Sequence, residues 1–277
     1  MSDEMTTIRP PLTWPVSEAR FVYESAMLPL LVPLLHTLPR GESNPVLVLP
    51  GYLASDRSTL AIRGWLRGLG YTTYSSGIKR NTGLDKHLVA QLRERLDSIA
   101  DSHAKPVRLV GWSLGGIHAR LLAHEMPDLV DRVVTLASPF RIPAGHPVNG
   151  PIVKIYKYLK GNGMDSLSDP DAVWQHPPPV PCTAVYSYSD GIASWDYCID
   201  PLGSASVENV GVNCSHLGMG SHPLVMYLLA DRLAGAAENW KAFELSGWRK
   251  RAYTVEAGHG IPGENGFGVR SFSLGTA

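Results

Sequence analysis

Gly111-Trp-Ser-Leu-Gly115 is the stretch of this sequence that decides the fold. Residues 106–110, just upstream, have the branched apolar side chains of a buried strand, and residues 115–124, just downstream, have the small and apolar side chains of a packed helix. The pattern predicts a sharp strand-to-helix turn with Ser113 at its tip. In such a turn the backbones approach so closely that Gly111 and Gly115 can carry no Cβ, and the serine oxygen is exposed as a nucleophile.

An oxyanion hole is the first further requirement of this interpretation, because the five-residue pattern alone also fits a glycine-flanked serine in an ordinary tight loop. Residues 45–50 form a continuous apolar run typical of a buried parallel strand, and Gly51-Tyr52 follows it. We expect the backbone N–H groups of Tyr52 and Leu114 to stabilise the oxyanion. The alternative is that Pro50-Gly51 simply ends a strand.

An acid is the second requirement, and it must follow the nucleophile in the chain. Residues 183–188 have the β-branched and aromatic side chains of a strand, and Asp190 comes directly after them. Functional side chains of open parallel sheets gather at the carboxyl ends of the strands, so Asp190 is the candidate acid. Asp-Gly is also an ordinary turn signal, and Asp196 and Asp200 are alternatives that lie further from the strand end.

A histidine is the third requirement. His216 follows the strand predicted at 208–214, where a loop can bring its imidazole over the serine. His222 is the second choice, but it precedes Pro223 and is better suited to cap the next helix. His259 has no strand end before it. The chain order serine, acid, histidine therefore favours His216 as the base.

These residues resemble the serine hydrolases of the α/β-hydrolase superfamily, and within it bacterial lipase-like and esterase-like proteins. The resemblance covers most of residues 20–235. It is carried by residues 38–41, 46–56, 69–71, 80–81, 111–116, 187–192 with Trp195, and 215–219. It implies an α/β fold, a mostly parallel central sheet with helices on both faces, in which Ser113, Asp190 and His216 are nucleophile, acid and base. Residues 75–81 depart from a tryptophan-containing segment of the relatives, so substrates are not carried over.

Length and composition predict one domain, since 277 residues with 44% hydrophobic side chains can bury a single large core. Residues 1–44 are expected to form an N-terminal arm. Residues 138–181 are longer than a crossover helix requires and are expected to form a cap or lid with an amphipathic piece at 152–159. The modest size of this cap favours substrates with short to medium acyl groups. Residues 247–277 lose periodicity, which is typical of a tail that wraps the surface or stays disordered.

Charge and motifs exclude several function classes. The formal net charge is zero, so no basic surface is expected to bind nucleic acid or an anionic membrane. We find no phosphate-binding loop, zinc-protease motif or calcium loop, and we predict no metal and no cofactor.

The ends of the chain and its cysteines give weaker indications. Residues 1–10 are acidic and polar, unlike a secretory signal, which predicts a cytoplasmic protein. The apolar stretch 26–35 contains two prolines and is too short to span a bilayer, so we expect an arm packed on the body, with weak contact to a lipid interface as the alternative. Cys198 and Cys214 are close enough to the site in sequence to suggest one disulfide, against which a reducing compartment argues.

The sequence thus predicts hydrolysis of a small-molecule or lipid carboxylic ester through an acyl-enzyme intermediate. The same three residues would also serve a polyester, lactone or amide hydrolase or an acyltransferase, because pocket shape sets the substrate. A non-catalytic binding scaffold is the alternative from a different class.

Overall fold

A computed structural model describes residues 18–29, 33, 37–141, 171–200 and 206–256 of the chain. The strands of this described part are β1 Pro45–Leu49, β2 Thr72–Ser75, β3 Val107–Trp112, β4 Val130–Leu136, β5 Cys182–Tyr186, β6 Val207–Val212 and β7 Tyr253–Glu256. They form one seven-stranded sheet in the order β2-β1-β3-β4-β5-β6-β7. The first six strands are parallel, and β7 pairs antiparallel with β6.

The helices of the described part are α1 Phe21–Ala26, α2 Leu60–Gly68, α3 Lys86–His103, α4 Leu114–Glu125, α5 Pro223–Arg232 and α6 Arg249–Ala252. Buried residues of α2 and α5 belong to one apolar cluster, and buried residues of α3 and α4 belong to another. In β1, Val46 and Val48 join the first cluster while Leu47 and Leu49 join the second. The sheet is therefore covered by helices on both faces, as the sequence predicted.

Helix α3 shows how local sequence sets the bounds of an element. The Asp85 carboxylate accepts hydrogen bonds from the backbone N–H groups of His87, at 2.9 Å, and Leu88, at 3.2 Å. This N-cap satisfies two of the donors that a helix leaves without a partner at its start. Ala104 ends the helix in the left-handed region, with φ of 46°.

The helix that follows His222, α5, ends at Arg232. Arg108 donates to the carbonyl oxygens of Leu233, at 2.6 Å, and Gly235, at 2.7 Å. Arg132 also donates to the carbonyl oxygen of Gly235, at 2.9 Å. Guanidinium groups thus satisfy the carbonyls at the end of α5 in place of a further helical turn.

The segments predicted around the core are described only in part. Residues 249–256 of the predicted tail form α6 and the edge strand β7, so this part of the tail is regular structure rather than an irregular wrap. The predicted amphipathic piece at 152–159 lies outside the described residues, as do residues 142–170 of the predicted cap and 257–277 of the tail.

Arg120 of α4 is buried and holds the helix to the segments around β5 and β6. Its guanidinium forms a fully buried salt bridge with Asp200, at 2.7 Å, and donates to the carbonyl oxygens of Trp174 and His176, both at 2.6 Å. It also lies over the ring of Phe140, 3.7 Å from the ring centre.

Replacing Arg120 with Met is expected to lower the free energy of unfolding by about 3–5 kcal/mol, because it leaves the Asp200 carboxylate buried without a countercharge. Arg93 provides a matched control, since its salt bridge with Glu125 is exposed and Arg93→Met is expected to cost about 1 kcal/mol or less. Urea denaturation of the three proteins measures the difference. Equal losses in the two variants would contradict a special contribution from the buried pair.

Candidate active site

Ser113 lies between the last residue of β3 and the first residue of α4, where the sequence predicted it. Its backbone has φ of 53° and ψ of −122°, a region that L-residues with side chains rarely occupy. A Cβ on Gly111 would collide with the backbone of Gly115 and Gly116, and one on Gly115 would collide with the carbonyl of Leu49. The strained serine and its close-packed glycines form the sharp strand-to-helix turn of a nucleophile elbow.

Neighbouring backbone and side chains hold this turn in place. The N–H of Ser113 donates to the carbonyl oxygen of Leu136 at the end of β4, at 2.8 Å. The Ser138 hydroxyl donates to the carbonyl oxygen of Ser113, at 2.6 Å. Because the strain of one residue persists only where its surroundings enforce it, these bonds explain how the turn is maintained.

The loop after β1 lies against Ser113, as required for an oxyanion hole. A Cβ built on Gly51 would lie 3.2 Å from Ser113 Cβ and 3.8 Å from Ser113 Oγ. Tyr52 comes next in the chain, and Leu114 is the first residue of α4, so its N–H has no acceptor within its own helix. Both predicted donors therefore lie in segments adjacent to the serine, at a helix N-terminus that favours negative charge.

Asn81 fastens this loop, a role that the sequence did not reveal. Its side-chain amide donates to the carbonyl oxygen of Pro50, at 2.8 Å, and its backbone carbonyl oxygen accepts from the N–H of Leu53, at 2.7 Å. Its N–H donates to the carbonyl oxygen of Ala54, at 2.9 Å. The signal that could have found it is its place in the 75–81 segment, where the sequence departs from that of its relatives.

His118, on α4, contacts the side chain of Asn81. Its Nε2 lies 3.2 Å from the Asn81 side-chain oxygen, and both residues are completely buried. Burial lowers the pKa of His118 to about 4, so its imidazole is neutral at pH 7. The neutral ring can donate from Nε2 and fix the orientation of the Asn81 amide.

Asp190 and His216 form a buried hydrogen-bonded pair on the loops after β5 and β6. Asp190 Oδ2 lies 2.7 Å from His216 Nδ1, and their side chains are 1% and 6% exposed, so water competes little for this bond. Asp190 Oδ1 accepts from the N–H groups of Ile192, at 2.8 Å, and Ala193, at 2.7 Å. One carboxylate oxygen is thereby fixed by its own loop and the other is directed at the imidazole.

Burial alone would lower the pKa of His216, but the pair with Asp190 and the charge of Glu18 outweigh it. The pKa of His216 is raised above its usual value of 6.5. An imidazole with such a pKa holds a proton readily once it has accepted one, which is the property needed in a general base.

Trp112 connects the histidine loop to the elbow. Its indole N–H donates to the carbonyl oxygen of His216, at 3.2 Å, and its ring contacts Gly220 so closely that a Cβ there would lie 2.9 Å away. Ser113 is the next residue in the chain, so the elbow and the histidine loop are joined at this point. Between the described side chains of Ser113 and His216 the structure contains no direct hydrogen bond, and such bonds often form only when substrate binds.

The alternative site residues have other contacts. Asp200 is engaged by Arg120, and Asp196 lies in the 3-10 helix Trp195–Tyr197, whereas Asp190 is the carboxylate that bonds the imidazole among the described residues. His222 caps α5, because its Nδ1 accepts from the N–H of Leu224 at 3.1 Å, which confirms the predicted capping role. His259 lies outside the described residues.

The cysteines do not form the suggested disulfide. Cys198 and Cys214 are buried free thiols, and so is Cys182. Cys214 Sγ lies 3.5 Å from Met219 Sδ, while Cys198 Sγ donates to the carbonyl oxygen of Ser194 at 3.5 Å. Hydrogen bonds between loops replace a covalent tether: the Ser187 hydroxyl donates to the carbonyl oxygen of Cys214, at 2.7 Å.

The described ranges lack a metal-ligating cluster and a membrane-spanning helix. Within them no group of three or more histidine, cysteine, aspartate or glutamate side chains is arranged to hold a metal ion. None of the helices described there has the length and apolar character needed to cross a bilayer.

Solved structures similar to this chain include a lipase and a lipase-esterase related protein. Aspergillus fumigatus lipase B is 16% identical with a TM-score of 0.56, over 70% of this chain and 54% of the lipase, so the match spans about half of that protein. A lipase-esterase related protein from Clostridium acetobutylicum is 14% identical with a TM-score of 0.50, over 71% of this chain and 97% of its own. The sequence matches no protein-family model and no curated protein. These likenesses show that the chain has the α/β-hydrolase fold, which confirms the predicted fold class.

Proposed function

We propose that this chain of α/β-hydrolase fold is a serine carboxylic-ester hydrolase in which Ser113, His216 and Asp190 are nucleophile, base and acid. The observation that carries the proposal is the buried Asp190–His216 hydrogen bond on loops that Trp112 joins to a strained serine at a strand-to-helix turn. A fold alone does not imply a function, but these groups, their order in the chain and the raised pKa of His216 support acyl transfer. Two proteins of similar structure, a lipase and a lipase-esterase related protein, agree with this class by name.

The acylation step begins with proton transfer from Ser113 Oγ to His216 Nε2 as the oxygen attacks the ester carbonyl carbon. The Asp190 carboxylate holds Nδ1–H, so that Nε2 is the free acceptor, and stabilises the imidazolium that forms. The N–H groups of Tyr52 and Leu114 donate to the oxyanion of the tetrahedral intermediate. One such donor typically contributes about 3 kcal/mol to lowering the barrier.

The intermediate collapses when His216 gives its proton to the leaving alkoxide, which departs as the alcohol. A water molecule then gives its proton to the same imidazole and attacks the acyl carbon. His216 returns this proton to Ser113 Oγ, and the carboxylic acid leaves. The cycle needs no group beyond the side chains and backbone donors already described.

Initial hydrolysis rates on p-nitrophenyl esters from acetate to palmitate test the proposal and its substrate class. We expect rates to be highest on short and medium acyl chains, since the cap predicted between β4 and β5 is modest in size. The loss of all these rates in Ser113→Ala is the matched control. Hydrolysis of the palmitate ester alone, and only above the critical micelle concentration of the substrate, would contradict a pocket restricted to short and medium acyl chains. Absence of hydrolysis of every ester would overturn the proposed function itself.

A further inference from the structure

A short N-terminal segment lies across the two loops that carry Asp190 and His216. Within it, the 3-10 helix Glu18–Arg20 runs directly into α1. Glu18 Oε1 accepts hydrogen bonds from the N–H of Gly191, at 2.8 Å, and of His216, at 3.0 Å. Glu18 Oε2 accepts from the N–H of Leu217, at 2.9 Å. One carboxylate thus bridges the residue after the candidate acid and the candidate base itself.

Two further charged side chains of this segment contact the same loops. Arg20 donates to the carbonyl and hydroxyl oxygens of Ser189, at 3.0 and 2.6 Å. Glu24 accepts from the N–H of Ser215, at 3.0 Å, and from its hydroxyl. Arg20 and Glu24 also pair with each other at 3.1 Å. The residues that precede Asp190 and His216 are therefore held by the same segment as those that follow.

The N-terminal segment and the loop that carries His216 are closely packed against each other. Glu18 and Glu24 are only 5% and 7% exposed. A Cβ on Gly218 would collide with the Glu24 carboxylate as it lies here, so glycine at this position leaves room for that carboxylate against the histidine loop. A buried carboxylate is costly unless it is hydrogen-bonded, and here the compensating donors are the backbone N–H groups of the two loops.

The negative charge of Glu18 is stabilised mainly by the backbone N–H groups of Gly191, His216 and Leu217. In the described part of the chain no lysine, arginine or histidine forms a salt bridge with it. Its field therefore reaches the imidazole without direct neutralisation, and it acts in the same direction as that of Asp190.

We propose that Glu18 is a positioning residue of the active site, which fixes the Asp190 and His216 loops relative to each other and places a second negative charge beside the imidazole. The proposal rests on the proposed function, because only a catalytic His216 gives this arrangement a consequence for turnover. Asp190 and Glu18 are the charged groups that act on His216, while Glu24 and Arg20 contact Ser215 and Ser189 in the same two loops. Glu24, Asp190, Arg20 and Glu18 also act on the buried thiol of Cys214, two residues before His216.

Replacing Glu18 with Gln or Asp separates its charge from its shape. Glu18→Gln keeps one acceptor oxygen and removes the charge, so the pKa of His216 should fall and the acid side of the kcat/KM profile should move to lower pH by about half a unit or more. The glutamine NH₂ group cannot accept a hydrogen bond, so either the N–H of Leu217 or the N–H groups of Gly191 and His216 lose their acceptor. We therefore expect kcat to fall about tenfold with little change in KM. Glu18→Asp should keep the acid side of the profile near that of wild type while also lowering kcat, since it is one methylene shorter.

Glu125→Gln is the matched control, because it removes the same charge at an exposed salt bridge far from the loops. It should leave both kcat and the pH profile unchanged. An unchanged acid limb in Glu18→Gln, even with reduced kcat or melting temperature, would show a merely structural contact and overturn the proposal.

Titration of the His216 ring by NMR, assigned through His216→Gln, separates this proposal from the proposed function. A lower His216 pKa in Glu18→Gln than in wild type is expected whether or not an ester is turned over. If wild type hydrolyses esters but the two titrations coincide, the role of Glu18 fails alone. If the titrations differ but no ester is hydrolysed, the proposed function fails and the positioning of His216 by Glu18 stands.

Discussion

Ser113→Ala is expected to lower kcat for ester hydrolysis by about 10⁴- to 10⁶-fold, the largest effect of any single change in this chain. Without Oγ no acyl-enzyme can form, and His216 and Asp190 then have no nucleophile to activate. A small rate above background should persist, because the Tyr52 and Leu114 N–H groups can still polarise a bound ester for attack by water.

Three measurements make this expectation specific to Ser113. Ser102→Ala, on the exposed side of α3, should keep the full rate and serves as the control for loss of a hydroxyl. Intact-protein mass after reaction with a fluorophosphonate should show one adduct in wild type and none in Ser113→Ala. Unfolding should be unchanged between wild type and Ser113→Ala, since alanine carries the same Cβ. Comparable hydrolysis by Ser113→Ala and wild type would disprove the assignment.

The strained backbone of Ser113 adds a stability test to the same position. A residue with a Cβ at φ of 53° and ψ of −122° costs about 1–3 kcal/mol, whereas glycine adopts this conformation without penalty but loses more entropy on folding. Ser113→Gly should therefore be inactive yet about 1 kcal/mol more stable than Ser113→Ala. Such a difference would indicate that the strain is retained for the exposed nucleophile rather than for stability.

The sheet and the order of the site residues could be predicted because their signals are local. The run Pro45–Leu49 consists of residues that are buried on both faces, and such runs predict parallel strands without knowledge of their partners. The turn at Ser113 is likewise encoded by the two glycines on either side of it. His222 could be assigned a capping role because Pro223 follows it.

The remaining features depend on contacts between residues far apart in the chain. Glu18 meets Gly191 and His216 across 173 and 198 positions, and no periodicity marks a glutamate that accepts from distant backbone groups. Asn81 fastens the loop after β1 across 31 positions in the same way. Strand β7 was missed because it is four residues long and lies on the edge of the sheet, where its pairing with β6 rather than its composition makes it a strand.

The site combines two kinds of support that differ in their physical origin. Ser113 is held by rigid elements, since it joins a central strand to a helix that is buried through ten successive residues. Asp190 and His216 lie on loops, where precision must come from hydrogen bonds such as those of Ser187 and Glu18. Mutations in the strand and helix that hold Ser113 should therefore act mainly on folding, while mutations that remove the hydrogen bonds of the two loops should act mainly on turnover.

Asp190→Asn is the change that tests the second kind of support most directly, and we expect it to lower kcat by about 10³- to 10⁴-fold. The amide oxygen can still accept from the N–H groups of Ile192 and Ala193, so the loop should keep its shape. The amide nitrogen then faces His216 Nδ1 and donates to it. This favours the tautomer with the proton on Nε2, which cannot accept the proton of Ser113.

Asp196→Asn provides the matched control, because Asp196 is the neighbouring carboxylate that the sequence left as an alternative acid. It should keep kcat within about twofold of wild type if Asp190 is the acid, since Asp190 is the carboxylate that bonds the imidazole among the described residues. Steady-state kinetics and thermal melts of both variants decide between them. A large loss in Asp196→Asn with a normal Asp190→Asn would transfer the role of acid to Asp196. Large losses in both, with lowered melting temperatures, would instead mean that the loop's fold rather than the orientation of His216 limits turnover.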